Sequence, residues 1–359
     1  MTDYHGILET AVKAPRSIPA DTLAGMLSCS DAAFDEDLFA AAREVKRRVG
    51  KTETLPRGLV ECSNVCAKDC LYCGIRKSNH KATRYRLTET DALACVEEAR
   101  RRGYPAVAFQ AGEIESEENT RYYERLLAAC RGLEVTLSLG EQTEDVYRRW
   151  KDAGAMRYLL RIETSNRKLY STIHPPECSF DRRVACLRTL KRLGYVTGTG
   201  VMIGLPGQTV EDLAADIVFF GDLPADMVGM GPYIPHPASP LPPPSSLFPP
   251  PSSLFPPPSS LSLSLRMIAL TRLYLHDVNI VAATALEALD PEHGRERGLA
   301  AGANVIMPNI TPWEARRRYD LYPGKAGGVR QETEDLALDV RQETEDLALD
   351  EKQETEYLA

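Results

Sequence analysis

The sequence predicts an α/β fold, a (β/α)8 TIM-type barrel of parallel strands, on three observations. Eight short apolar segments follow one another between residues 58 and 307. Charged segments of helical period lie between most of them, the alternation that builds a parallel sheet. The 359 residues also exceed the ~250 that such a barrel needs, and 43% of them are hydrophobic, enough to fill its core.

Taken in order, residues 1–54 are expected to form an N-terminal helical extension. Residues 17–50 hold one or two helices. Asp21 is placed to cap the first and Asp31 or Asp35 the second, which ends in Arg47-Arg48-Val49-Gly50 with cations near its C-terminus. The barrel is assigned to residues 55–325. Its strand candidates are 58–62, 106–109, 134–139, 157–162, 196–203, 227–230, 279–283 and 304–307, joined by helical segments such as 89–102 and 182–193. Two stretches break the alternation. Residues 242–260 repeat PPPSSLF with a period of seven. They are too proline-rich for helix or sheet and are read as a polyproline-like or disordered insertion between strands six and seven. Residues 326–359 are an acidic tail in which RQETEDLALD recurs with a period of eleven, made weakly amphipathic by Leu336, Leu338, Leu347 and Leu349.

The tail also explains the charge. Residues 330–359 carry eleven Asp/Glu against three Lys/Arg, so the whole formal charge of −8 resides there and the rest is neutral. No basic stripe suggests nucleic acid as a partner. No apolar run approaches the ~20 residues of a membrane span. Met1 to Pro19 resembles neither a signal peptide nor an Arg-rich transit peptide. Nine cysteines in so long a chain fit a reducing compartment, so a cytoplasmic location is expected. Cys29, Cys95, Cys130, Cys178 and Cys186 are read as plain buried or half-buried thiols.

The chemistry concentrates in Cys66-Ala67-Lys68-Asp69-Cys70-Leu71-Tyr72-Cys73, a C-x3-C-x2-C spacing. Thiolates are the ligands of iron–sulfur clusters. Three on one loop can hold three irons of a 4Fe-4S cube and leave the fourth open to a small molecule. The loop follows the first strand, at the C-terminal mouth where barrel enzymes place their chemistry. Zinc is the alternative, but it wants four ligands, and only His80 is near enough in sequence to complete a set. Other polar groups stand at later strand ends. Gln110-Ala111-Gly112-Glu113 follows strand two. Arg161 and Glu163 are two apart, on one face of strand four, as a structural ion pair or a ligand site. Strand five runs into Gly200-Val201-Met202-Ile203-Gly204-Leu205-Pro206-Gly207, whose glycines let backbone approach a ligand.

The cysteine spacing, with an aromatic residue before the third cysteine, resembles the radical-SAM superfamily. That resemblance implies a radical-SAM barrel and one 4Fe-4S cluster on Cys66, Cys70 and Cys73. It implies S-adenosylmethionine (SAM) chelated to the open iron and cleaved to a 5′-deoxyadenosyl radical, with the protein enclosing this chemistry. It further implies that Tyr72 lies against the adenine and that Gln110 and Glu113 belong to a GGE-like turn binding the SAM ammonium. Glu163 would meet the ribose hydroxyls, Arg183 the carboxylate, and the segment holding Met202 the adenine.

Seven blocks narrow the likeness: SNVCAKDCLYCGIR at 63–76, LSLGE at 137–141, YLLRIETSN at 158–166, MIGLPGQT at 202–209, GPYIPHP at 231–237, GANVIMPN at 302–309 and YDLYPGK at 319–325. In this order they resemble the HydE family, maturases of iron-only hydrogenase, over roughly residues 20–325 apart from the proline repeat. The resemblance implies a transferase-like, monomeric enzyme acting on a small organometallic iron precursor of the hydrogenase's diiron subcluster, with the other hydrogenase maturases as partners. Positions matching the family's cavity are Thr136, Arg161, Thr284, Met307, Tyr319 and Tyr322. The chain departs from the family after residue 325, where the acidic repeat stands and no cysteine follows Cys186, so a second cluster there is not expected. Methylornithine synthase, which shares much of the cluster loop, and biotin synthase are the alternatives, beside a non-catalytic iron–sulfur paralogue. Thr136 and Gly198 fall where two cysteines of biotin synthase's second cluster would stand.

Overall fold

Ser and Thr residues close several of the loops that lead into helices, and they set where those helices start. Thr88, Ser116, Thr143 and Ser179 each accept a hydrogen bond from the amide three residues on, and Thr209 forms a reciprocal capping box with Asp212. The structure, a computed structural model, describes residues 4–29, 31–241 and 260–325. The proline repeat up to residue 259 and the acidic tail lie outside the described residues.

Three helices come first: α1 (Tyr4–Lys13), α2 (Ala20–Ser28) and α3 (Ala32–Arg48). Asp31 caps α3 as expected, accepting from Ala33 N at 2.9 Å. Asp21 does not cap α2. Pro19 holds the N-cap position, and Asp21 sits inside the first turn, accepting from Thr22 N at 2.7 Å. Helix α1 is not foreseen from the pattern, because it buries only Leu8 and Ala11.

The barrel follows in order: β1 (Leu55–Ser63), α4 (Glu89–Arg101), β2 (Ala106–Ala111), α5 (Glu117–Ala129), β3 (Glu134–Ser138), α6 (Glu144–Asp152), β4 (Arg157–Leu159), α7 (Arg167–Ile173), α8 (Phe180–Arg192), β5 (Val196–Thr199), β6 (Met202–Ile203), α9 (Val210–Asp222), β7 (Met227–Pro232), α10 (Ser260–Leu275), β8 (Asn279–Ala282), α11 (Thr284–Leu289), α12 (Gly294–Ala300), β9 (Val305–Ile306) and α13 (Trp313–Arg316). Each strand from β1 to β5 pairs in parallel with the next. The ring continues through β5–β7, β7–β8 and β8–β9, and β9 returns to β1. The result is a closed barrel of eight parallel strands, a TIM-type fold. Ser260, counted with the proline repeat in the sequence, opens α10.

Two strands end earlier than their apolar runs suggest. The regular pairing of strand four ends at Leu159, so Arg161 and Glu163 lie beyond it. Glu163, at a left-handed φ of 67°, rejoins the sheet through a single parallel bridge to Val201. Strand five splits into β5 and β6 at Gly200-Val201, where the backbone lies directly on β7. A Cβ at Gly200 would overlap the carbonyl oxygen of Gly229.

Inside the barrel, Met227, Val281 and Val305 pack with Leu55, Leu159 and Met307. Outside, α2 and α3 pack on α9 and α10. Helix α10 is buried almost all round, which its polar members survive by bonding. Arg266 pairs with Asp35 at 2.6 Å, and Arg272 donates to the Val278 and Gly302 carbonyls and to Asn304 Oδ1. No helix among the described residues is long and apolar enough to cross a membrane.

Gly200→Ala should cost about 2–4 kcal/mol of stability, because the methyl meets backbone and no side chain can yield. Thermal unfolding checks this. An unchanged midpoint would show that β5 and β7 part without cost.

Candidate functional site

The segment after β1 has no regular structure, so its backbone groups need other partners. One guanidinium supplies many of them: Arg84 donates to the carbonyls of Asn64, Ile75 and Arg76 at 2.7 Å and of Asn79 at 3.2 Å. Asn64 is buried and uses its whole amide, donating to the Thr83 and Arg318 carbonyls and accepting from Tyr85 N. Asp69 ties the loop's far side by accepting from Ser78 N at 2.9 Å and Ser78 Oγ at 2.7 Å.

This frame presents Cys66, Cys70 and Cys73 to a cavity of about 320 Å³ at the C-terminal end of the strands. None of the three is in a disulfide. Cys66 Sγ accepts from Lys68 N at 3.4 Å and Glu113 N at 3.3 Å. Burial pushes the Cys66 thiol up and the Cys73 thiol to about 12, while Cys70 is raised first by a hydrogen bond with Cys178 and then by burial. Thiolates so enclosed need a cationic partner, which a metal cluster supplies. Among the described residues no three His, Cys, Asp or Glu side chains converge where a single ion would sit, and His80 is exposed. Thiols that do not share one point suit a cube, which meets each at a separate iron, better than one zinc ion. Cys178, read from the sequence as a plain thiol, is buried.

The turn after β2 lies against this loop. A Cβ on Gly112 would overlap the Val65 carbonyl oxygen, so only glycine permits the approach that brings the Glu113 amide to Cys66. Glu113 is buried, and burial raises its carboxyl. Lys68 Nζ stands 3.0 Å from its Oε1 as an ion pair without hydrogen-bond geometry. Next to it, Arg183 donates to Glu141 Oε1 and to the Arg161 carbonyl, both at 2.6 Å. Arg161 Nη2 reaches the Val201 carbonyl at 2.8 Å and Glu163 Oε2 at 2.9 Å. The pair expected from the sequence therefore exists, across a turn. Burial raises the Glu163 carboxyl too, and its Oε2 has no hydrogen bond.

Tyr72 is aimed by a residue the sequence did not single out. His174 stacks on Tyr170 with centroids 3.9 Å apart, and its Nδ1 lies 3.0 Å from the Tyr170 carbonyl. Burial and Arg183 hold the imidazole down at about 3, so it is neutral. Nδ1–H donates to the carbonyl, which leaves Nε2 to accept from the Tyr72 hydroxyl at 3.3 Å. Tyr72 also packs with Met202, Leu205 and Tyr233.

The remaining candidates occupy the rest of the wall. Thr136 Oγ1 is buried without a hydrogen-bond partner among the described residues. Thr284 and Tyr322 share a hydrogen bond of 2.8 Å, and Gln110 and Tyr319 line the same wall. Met307 sits beside them. Every site residue expected from the sequence lines this one cavity. The sequence missed Lys68, Glu141 and the buried pair of Lys325 with Glu61. All but Glu61 stand inside blocks already singled out, which was the available signal. Burial pushes the Lys325 ammonium down to about 7.

Comparison with known proteins gives a consistent picture. Residues 60–220 match the radical SAM superfamily. Over 324 residues, 89% of this chain and 88% of the relative, the sequence is 42% identical to the FeFe hydrogenase maturase subunit HydE of Thermotoga maritima. It is 31% identical to biotin synthase of Sorangium cellulosum over 49% of this chain and 52% of that one. Among solved structures, methylornithine synthase (PylB) superposes with a TM-score of 0.72 at 22% identity, covering 85% of this chain and 86% of that one. The maturase HydG from Carboxydothermus hydrogenoformans superposes at 0.70 and 21% identity, covering 84% and 69%. These two likenesses concern the fold alone.

The strained turn at Glu163 rests on α9. Asp216 accepts from Ser165 N at 2.6 Å and Asp212 from Asn166 Nδ2 at 2.7 Å. Burial lifts the Asp216 carboxyl from 3.8 to about 7. A carboxyl raised in the fold favours folding below its ordinary value, and that contribution is lost as pH rises through 7. Asp216→Asn keeps an acceptor and removes the ionisation. Its stability relative to wild type should grow between about pH 4 and 7, by on the order of 4 kcal/mol at 1.36 kcal/mol per pKa unit. Unfolding midpoints across that range check it, and parallel curves would refute it.

Proposed function

This chain belongs to the radical SAM superfamily and, within it, to the family of the FeFe hydrogenase maturase HydE, and from that membership we propose how its site works. It is a radical-SAM hydrogenase maturase. The observation that carries the site reading is the set of three disulfide-free thiols on the Arg84-held loop, lining the cavity at the C-terminal end of the strands. Cys66, Cys70 and Cys73 would hold one 4Fe-4S cluster, which when bound supplies the electron that cleaves SAM to a 5′-deoxyadenosyl radical.

The chain's own part is binding, orientation and exclusion of water. Glu113 accepts the SAM ammonium, with Gln110 on the same turn, and Arg183 donates to the SAM carboxylate beside it. Both are held by fixed partners, Lys68 and Glu141, so little reorganises on binding. Glu163 accepts from the ribose hydroxyls with an oxygen that otherwise has no hydrogen bond. Tyr72, aimed by neutral His174, and Met202 form the apolar surface for the adenine. Deeper in the barrel, Thr136, Arg161, Thr284, Met307, Tyr319 and Tyr322 enclose the second substrate, a small organometallic iron precursor of the hydrogenase's diiron subcluster. Hydroxyls and a guanidinium suit its carbonyl, cyanide and carboxylate groups, which accept hydrogen bonds. The biotin synthase alternative finds no second set of cluster thiols: Thr136 and Gly198 occupy two of those places, and Gly198 is packed against Met227 and Leu159.

Anaerobic reconstitution should load about four iron and four sulfide per chain. With SAM and dithionite the loaded chain should release 5′-deoxyadenosine or an adenosylated product. Cys70→Ser should lose both the cluster and SAM cleavage, and retained cleavage would mean that the ligands are misassigned. Glu163→Gln should keep the cluster and weaken SAM binding about tenfold, the equivalent of ~1.4 kcal/mol for a charge-assisted hydrogen bond. Unchanged affinity would place the ribose elsewhere. The maturase role is checked by adding the chain to the hydrogenase and its other maturases in vitro, where hydrogenase activity should depend on it.

A further inference from the structure

The reading above leaves one ion pair at the cavity unused, that of Lys325 with Glu61. Glu61 stands on β1 two residues after Leu59, which lines the cavity, so both side chains point into the barrel. Its backbone is held at both ends: the amide donates to Thr311 Oγ1 at 2.8 Å, and the carbonyl accepts from the Tyr85 hydroxyl at 2.7 Å. The carboxylate is wholly enclosed. Lys325 Nζ donates to its Oε1, and its Oε2 has no hydrogen-bond partner among the described residues. Lys325 arrives on the segment that follows α13. That segment is fastened to the loop after β1, because the Arg318 carbonyl accepts from Asn64 Nδ2 at 2.7 Å and the Leu321 carbonyl from Gly74 N at 3.1 Å. Lys325 N donates to the Tyr322 carbonyl at 3.3 Å, and Nζ lies 4.8 Å from the centre of the Tyr319 ring.

Burying an ion pair is a poor way to stabilise a fold, because the lost hydration offsets the attraction. This pair has a second aspect: Lys325 also lines the cavity. An ammonium has three protons to donate. Glu61 Oε1 takes one, which leaves donor capacity for the space that Lys325 faces. Lys68 and Arg183 stand with Glu113 and Glu141 on the side assigned to SAM. Arg161 and Lys325 are then the cations left for a second substrate.

We propose that Lys325 is a further substrate-binding residue, whose ammonium, aimed by Glu61, donates to a carboxylate of the second substrate. The inference rests on the reading of this cavity as the site of a small second substrate, and it names an anionic group by which that substrate is held. Glu61 is a positioning residue. It gives the ammonium a counter-charge where water is excluded and fixes it against β1, so the carboxylate meets a donor already in place. A carboxamide in the same position keeps one acceptor oxygen and loses the charge, so the site discriminates between the two through the charge-assisted part of the bond.

The experiment uses the reconstituted full chain with saturating SAM and no reductant, which fills the other amino-acid site. The probe is L-cysteine, a small thiol carboxylate of the kind that ligates iron, compared with L-cysteine amide by equilibrium dialysis. Wild type should bind the carboxylate about tenfold more tightly than the amide, the scale of one charge-assisted hydrogen bond. The double variant Glu61→Gln with Lys325→Met replaces the pair with neutral side chains of similar size and leaves no carboxylate buried alone. It should lose that preference while its iron content and SAM affinity stay at wild-type values. Glu61→Gln alone keeps the ammonium but not its hold, and should lower the preference several-fold, a readout that a purely structural role would not move. No preference in wild type, or a preference kept in full by the double variant, overturns the proposal. Should the double variant lose SAM affinity, Glu61→Gln decides in its place, and an unchanged preference there overturns the proposal. A wild-type chain that binds no SAM defeats the earlier reading separately, since the difference between wild type and variants is still read on the SAM-free chain.

Discussion

The barrel closes because two backbones can touch. Between β5 and β6 the chain runs directly on β7, and Gly200 leaves the space that the Gly229 carbonyl fills. A side chain there would press the two strands apart at that point. The consequences run outward from that contact. Gly200 O accepts from Glu163 N, and Glu163 O accepts from Met202 N. The same close approach therefore holds the turn that carries Arg161 and Glu163, and it sets Met202 opposite Tyr72. A non-glycine residue at φ 67° is strained. It persists because Asp212 and Asp216 on α9 pin the residues that follow.

Above this frame the cavity holds its charges in pairs: Lys68 with Glu113, Arg183 with Glu141, Arg161 with Glu163. Such pairing lets a small enclosed space carry several ionic groups without leaving one alone in low dielectric. It also makes the site complementary to a zwitterion. An incoming ammonium and carboxylate would find an acceptor and a donor already set by a fixed partner, so binding would exchange contacts instead of creating charge.

The strands were legible because each is an apolar run bounded by charge, and the parallel order follows from the helices between them. Their ends were not. Strand four reads as apolar through Ile162, yet its regular pairing ends at Leu159, and Leu160 and Ile162 are buried beyond it. The three candidate thiols were legible from spacing alone, since Cys66, Cys70 and Cys73 are local in sequence. The groups that surround them were not. His174 reaches Tyr72 only through the fold, and a lone histidine carries no spacing to read. Asp21 looked like a cap because Asp favours that place, but the proline before it claims the position.

One guanidinium, that of Arg84, spans the cluster loop from Asn64 to Asn79. Its four carbonyl bonds are made with protein atoms alone. These bonds brace the loop from within the chain, so a cluster held by its thiols, as proposed above, would meet a segment already fixed at four points.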